Sequence, residues 1–507
     1  MPRQASDPDH FRLTEHRIDD LPGHMIRGGA ITVVAQLAKI FILFGGIVLL
    51  ARMLTPEDFG LVAVVAAFLA FVELFLDLGL ARATAQRAQV TQVEVSTLFW
   101  ITVTISVLAF LVILGLGPTL ARFYDRDELS EVTVWLGLAV VIASMSVQHT
   151  AILKRQRRFA ALAVAEIGSL AVGILAAVVV ATTEGGVWAL VAQRIAGSLT
   201  LTLSSWLVCR WRPGRPSFEV DLRGLLAFGG DMTLSSALNL ASRTIDHILI
   251  GWTAGAHVLG LYERTNRLVM APVQDVNVSL FAAAMPMLGR SAGNPARFRR
   301  TYLKSMEAIC MVTMPVAALP IAVPDLIVDL LLGPQWGGAA PFAMWLGIAA
   351  LFQPVINTLG WLFVTRDRVR EMVRWTVMGS GLRLIAVLGG LPYGAVGVAA
   401  AVALSGIAIR VPVLFWAIGR RGPISTLDLV RATGPATVAA VSVIAALSLM
   451  RGFVPLPADA PALQLVLAVG VAAGVALLCY AGLPQGRRAL RGFRLMRSAF
   501  TRVEVPP

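Results

Sequence analysis

The amino-acid sequence predicts an all-α polytopic membrane protein, and three observations predict it. Apolar runs of bilayer-spanning length recur along nearly the whole chain, charge is scarce, and basic residues gather in alternate loops. Of 507 residues, 57% are hydrophobic and 14% charged, with mean hydropathy +0.75; a soluble globular chain carries about 25% charged residues. A span needs about 20 apolar residues. The runs here are continuously apolar, whereas barrel strands would alternate, so the spans are helices.

Fourteen spans are read at roughly 28–51, 60–80, 97–117, 132–152, 160–182, 186–208, 226–251, 267–288, 305–324, 341–364, 372–391, 394–418, 432–450 and 462–483. The loops between them test this count. Lys and Arg divide 32 to 6 between the two alternating sets of loops, the richer set including both termini. That positive-inside pattern places the amino and carboxyl termini in the cytosol, and one helix more or fewer would scramble it. The net charge of +13 therefore reports topology and gives no reason to expect nucleic-acid binding.

The first 27 residues interleave Arg3, Asp7, Asp9, Arg12, Glu15, Arg17, Asp19, Asp20 and Arg27. A signal peptide has a basic start followed by an apolar core, so this segment reads as a polar cytosolic tail. Cys209, Cys310 and Cys479 lack metal or redox spacing and read as small apolar fillers, with no metal or cofactor expected. The outer loops are short and partly acidic, as in "YDRDELSE" (124–131). The carboxyl-terminal "GRRALRGFRLMRSAF" sets Leu490, Phe493, Met496 and Phe500 along one helical face. It reads either as a helix lying on the cytosolic leaflet or as a plain basic tail.

One corner is written twice. "LLARMLTPEDFGLVAV" (49–64) matches "LIGWTAGAHVLGLYER" (249–264), with Gly60-Leu61 in the place of Gly260-Leu261. "GGVWALVAQRIAG" (185–197) likewise matches "GAVGVAAAVALSG" (394–406). Six helices thus repeat as six in the same orientation, the arrangement of parallel repeats about an axis along the membrane normal. The expected organisation is a cytosolic tail (1–27), an N-lobe of helices 1–6 (28–209) and a basic, hinge-like linker (210–225). A C-lobe of helices 7–12 (226–420), helices 13 and 14 (421–484) and a basic tail (485–507) follow.

These corners, together with "FLDLGLARA" (75–83), "RTIDHILIGWTAGAHVLGLYERTNRL" (243–268) and "LLLGPQW" (330–336), resemble the polysaccharide transporter family. Its members are bacterial O-antigen and exopolysaccharide flippases of the multidrug/oligosaccharidyl-lipid/polysaccharide exporter superfamily. The resemblance covers about residues 25–420 and departs in its cations, nearly all of which are arginine. It implies two six-helix lobes related by pseudo-two-fold symmetry around a central cavity, two further carboxyl-terminal helices, and alternating access. The implied cargo is an oligosaccharide on undecaprenyl pyrophosphate, crossing the inner membrane from the cytosolic to the periplasmic leaflet. A polysaccharide polymerase or export machinery would be the protein partner, membrane lipids the surroundings, and H+ or Na+ the coupling ion.

A charge at mid-bilayer costs about 2.5–3.5 kcal/mol on insertion scales, so each one within a span needs a reason. Lys39, Arg194, Arg243, Arg383 and Arg410 fall within spans, as do Glu73, Asp77, Glu166, Asp246, Asp275 and Glu307. The functional reading is a cationic, water-filled cavity lined first by Lys39, Arg243 and Arg383, since a guanidinium fork binds phosphate oxygens at any physiological pH. The structural alternatives are internal pairing of Arg243 with Asp246, and Arg410 and Arg194 lying near helix ends. Glu73 and Asp77 lie four apart on one face, suiting ion coupling or a helix-end brace beside Arg82. Trp252 and Tyr262 read equally as interface anchors or sugar platforms.

Prolines are unevenly spread: between residues 23 and 212 only Pro56 and Pro118 occur, both read at helix ends. Pro272, Pro286, Pro315, Pro320, Pro324, Pro341, Pro354, Pro392 and Pro412 crowd the second half, which suggests a rigid first lobe and bending in helices 8 to 10. An enzyme would need a soluble loop or an acidic catalytic cluster, and an ATP-driven pump the "GxxxxGK[ST]" loop. Neither is found in this sequence. The remaining alternative to a flippase is an ion-coupled exporter of drugs or other small molecules from the same superfamily.

Overall fold

The computed structural model describes residues 21–77, 81, 84–85, 90–183, 185–217, 222–291, 293–365, 369–420, 423–453, 460–484 and 486–487. The tail over 1–20 and the amphipathic segment over 488–507 lie outside the described residues. The described fold is helical throughout and divides into two compact units, Met1–Gly260 and Leu261–Pro507.

In the first unit the helices are α1 (Leu21–Met53), α2 (Pro56–Asp77), α3 (Gln92–Tyr124), α4 (Glu128–Ser144), α5 (Val147–Arg155), α6 (Phe159–Thr183) and α7 (Val187–Cys209). The first limb of α8 (Leu222–Ser291) completes it. Local chemistry sets the starts. Proline opens α2 at a position that has no use for a backbone donor. There Thr55 donates through its backbone N (2.9 Å) to Asp58, while Asp58 N donates to Thr55 Oγ1 (3.3 Å). Thr91 and Glu94 form the same reciprocal cap on α3. Each such cap contributes about 1 kcal/mol. α3 packs on α4, α6 on α7, α1 on α6 and α4 on α7.

The second unit continues with the second limb of α8 and α9 (Pro295–Ala322), started by Asn294, whose Oδ1 accepts from Ala296 N and Arg297 N. There follow α10 (Pro324–Leu331), α11 (Ala340–Thr365), α12 (Val369–Gly390) and α13 (Gly394–Ser405). One turn of π-helix, Gly406–Arg410, leads into α14 (Val411–Gly419), then α15 (Thr426–Phe453) and α16 (Pro461–Gly482). α9 packs on α11, α12 on α13 and α11 on α13, with α15 against α9 and α16 against α15.

Among the described residues, eight helical stretches are long and apolar enough to cross a membrane. Their surfaces agree: Leu108, Leu111 and Val112 on α3, Val164 and Leu175 on α6, and Val466 and Leu478 on α16 are exposed. The helix contacts instead hold small hydroxyls. Ser106 and Ser144 meet at 2.9 Å between α3 and α4, and Thr202 Oγ1 of α7 donates to Ile142 O at 2.8 Å. In water this distribution would expose large apolar patches; in lipid, small polar residues at contacts are what bring helices together.

Several boundaries need correction. The second corner is no 15-residue loop: α8 runs through it with a single break at Gly255 (φ 82°, ψ 173°). A left-handed φ suits glycine, and there the chain turns in one residue. Glu263, Arg264 and Arg267, expected at the outer surface, therefore lie inside the second limb, Arg267 about 18 Å beyond the break at 1.5 Å per residue. Pro118 lies within α3, not at its end. Pro315 and Pro320 within α9 and Pro354 within α11 stand where the uneven proline distribution put them.

The start of the linker is fixed along α3. Trp211 Nε1 donates to Gln92 Oε1 (2.6 Å), Gln92 Nε2 to Arg212 O (3.0 Å), Gly214 N to Ser96 Oγ (2.9 Å) and Ser217 N to Thr97 Oγ1 (3.0 Å). The stretch read as hinge-like is, over residues 210–217, a strap.

Candidate functional site

The repeated corner explains itself in three dimensions. A methyl group added to Gly60 would overlap the carbonyl oxygen of Ala256, and one added to Gly260 would overlap that of Pro56. Residues 200 apart in sequence meet reciprocally, as in a two-fold contact where one residue touches the counterpart of the other. Only hydrogen-sized side chains let two helix ends approach this closely. Around the crossing, Tyr124 Oη donates to Ile248 O (3.3 Å), Phe123 stacks on Trp252 (5.8 Å, 22°), and Arg126 pairs with Glu57 (2.5 Å). Trp252 is thus an exposed ring on Phe123, while Tyr262, in the second unit, is buried edge-on against Phe342.

Two pairs of charges within the first unit's helices join different helices. Lys39 Nζ of α1 lies 3.0 Å from Glu166 Oε2 of α6, and both side chains are about one third exposed. Arg194 of α7 forms an ion pair with Glu73 of α2. The side chains of Asp77 and Arg243 lie outside the described residues. Asp246 is fully buried and accepts from the backbone N and the ring Nδ1 of His247, each at 3.1 Å. Lys39 and Glu73 are therefore braced by ion pairs.

The second unit is arranged differently. Arg264 is buried, at 6% exposure, one residue from Glu263. Glu263 accepts from Arg267 Nε at 2.5 Å, one turn apart on the same helix. Arg267 is 64% exposed, 12 residues beyond the break at Gly255. Arg383 of α12 is half-buried, and Arg410 lies at the end of the π turn, its guanidinium against Gly379. Sequence reasoning missed Glu263, Arg264 and Arg267 because the polar run "YERTNR" delayed the reading of the span. The repeat held the signal: α2 begins at Pro56, so its counterpart begins at Ala256.

Comparison with known proteins adds to this geometry. The profile of a family described as polysaccharide biosynthesis protein matches residues 49–341, more than half of the chain. The teichuronic acid biosynthesis protein TuaB of Bacillus subtilis is 27% identical over 342 residues, 66% of this chain and 70% of TuaB. The lipopolysaccharide biosynthesis protein WzxC of Escherichia coli is 23% identical over 374 residues, 72% of this chain and 75% of WzxC. Among solved structures, the lipid II flippase MurJ in an inward closed conformation superposes with a TM-score of 0.71 at 11% identity, over 89% of this chain and 99% of MurJ. Such a likeness shows the fold alone. Matched over most of its first two thirds, the chain belongs to the polysaccharide biosynthesis protein family.

Proposed function

We propose that this protein flips an oligosaccharide carried on undecaprenyl pyrophosphate across the bacterial inner membrane by alternating access. In this reading fourteen helical limbs cross the membrane with both termini in the cytosol, in two six-helix lobes related by pseudo-two-fold symmetry. The observation that supports the cargo class is Arg267, an exposed cation about three helical turns beyond the Gly255 break on α8 and about one turn from buried Arg264. A diphosphate brings about two negative charges, and an arginine fork meets phosphate oxygens in pairs. The carboxylates Glu73 and Glu166, which a cation exporter would need free, are held by Arg194 and Lys39. Lys39, Arg194, Arg243, Arg383 and Arg410 remain candidate contacts along the path, and Glu73, Asp77 and Asp246 candidate coupling groups.

Deletion of the gene followed by lipid extraction tests this directly. Accumulation of an undecaprenyl-linked oligosaccharide, cleared by the wild-type gene but not by an Arg267→Gln copy, is the expected result. Normal glycolipids together with sensitivity to cationic dyes would overturn it in favour of a drug exporter. TuaB and WzxC, proteins of teichuronic acid and lipopolysaccharide biosynthesis, make such a cell-surface polysaccharide the product to examine first.

A further inference from the structure

A groove of about 200 Å³ opens on the side of the second unit, between α11, α12 and the π turn. It is smaller than the roughly 300–1,000 Å³ of pockets that enclose drug-sized molecules, so it holds part of a ligand whose remainder lies outside. Leu359, Met372, Leu382 and Val413 make its walls apolar, and its one charged lining residue is Arg410.

Two features of the backbone place that cation. Gly379 carries no side chain where the guanidinium rests: a Cβ there would stand 3.3 Å from Arg410 Nε and 3.5 Å from Cζ. The helix also widens to a π turn over Gly406–Arg410. Such single turns are rare and recur at functional sites. The groove's depth is set by neighbouring anchors. Trp375 lines it one turn before Gly379, exposed Arg374 precedes Trp375, and Arg420 lies over the Trp416 ring at 4.4 Å. Tryptophan and arginine together mark a headgroup level. Arg410 lies six residues, about 9 Å of helix, inside Trp416. A lipid phosphate at the headgroup level is within reach of a guanidinium at that depth, and the apolar wall continues into exposed Met378 and Ile409.

We propose that this groove binds one anionic phospholipid of the adjacent leaflet, its phosphate on Arg410 and one acyl chain along the α11–α12 wall. The proposal takes Arg410 out of the candidate cargo contacts named above and uses no other part of that reading. Charge complementarity selects the occupant: a single fixed cation over an apolar channel matches one phosphate above one hydrocarbon chain.

The test uses full-length protein in nanodiscs containing phosphatidylglycerol with a photoreactive diazirine midway along one chain, and crosslinked peptides are mapped by mass spectrometry. Crosslinks are expected on 372–382 and 409–414. Arg410→Gln and Gly379→Val should each lower them about fivefold, the effect of one basic side chain at an anionic surface. Labelling at Leu108 and Val112 on α3 should stay unchanged, reporting that each variant is folded. Three results would overturn the proposal: equal labelling by the matching phosphatidylcholine probe, labelling indifferent to Arg410→Gln, or displacement of the label by undecaprenyl phosphate, which would assign the groove to the carrier lipid.

Discussion

At the scale of single residues, the charges divide into braces and exposed cations, and the two kinds behave differently when changed. The Lys39–Glu166 pair joins α1 to α6 at 3.0 Å with both side chains about one third exposed. Water screens such a pair, so its coupling should be modest, about 0.2–1 kcal/mol in a double-mutant cycle. Measured by thermal unfolding in detergent, Lys39→Met and Glu166→Gln together should cost less than the two changes summed; strict additivity would show that the pair contributes nothing. Arg267 lacks such a brace across helices among its described contacts, pairing with Glu263 one turn back on its own helix. If it holds a diphosphate, Arg267→Lys keeps the charge but loses the planar fork. Arg267→Gln loses both, and the loss of one charge-assisted hydrogen bond, about 1.5–3 kcal/mol, should lower complementation of a deletion strain at least tenfold. An unimpaired Arg267→Gln variant would remove Arg267 from the path.

At the scale of elements, termini and crossings dominate. Arg299, near the start of α9, forks onto Asp428 in the first turn of α15 with bonds of 2.8 Å and 2.5 Å. Ser425 N also donates to that carboxylate at 2.9 Å. Arg299 above all, then Ser425, holds the Asp428 carboxyl well below the usual carboxylate range. A depressed folded pKa contributes stability in full above the unfolded value near 3.9, and loses it as the pH falls through the folded value. Thermal stability should therefore decline on acidification below about pH 4, and Asp428→Asn should start lower and flatten that limb. A variant with an unaltered acid limb would assign the decline elsewhere. The elements also show how far sequence reached. Apolar length marked the chain as helical, because it is a local property, and eight stretches among the described residues are long and apolar enough to span. The α2 corner was legible because its polar turn is short. The α8 corner was not, since Glu263, Arg264 and Arg267 look like a loop by their polarity, although Arg264 is buried. Pairings such as Lys39–Glu166, 127 residues apart, follow from which helices adjoin, and no local pattern encodes that.

At the scale of the whole molecule, alternating access requires a contact that seals one end of the path and can part. The Gly60–Gly260 crossing is a candidate for that, because there two helix ends meet backbone against backbone. Arg267 lies seven residues, about 10 Å, farther along α8 than Gly260. If the crossing is the outer seal, position 267 should be open to the cytosol and shielded from the periplasm. In a background with Cys209, Cys310 and Cys479 replaced, Arg267→Cys should react with a membrane-impermeant thiol reagent in inverted vesicles and resist it in intact spheroplasts. Gly60→Leu forces its side chain into the space of the Ala256 carbonyl, so the ends must separate. Overpacking of this kind costs about 1–3 kcal/mol, enough to move a two-state equilibrium roughly five- to hundredfold toward the outward-open form. Adding Gly60→Leu to Arg267→Cys should then expose the thiol to the spheroplast exterior. Gly260→Leu, acting on the Pro56 carbonyl from the other side of the same contact, should do the same. Labelling from the outside in the parent, or protection that survives both leucines, would mean that the doubled corner is a fixed strut and that the path is sealed elsewhere.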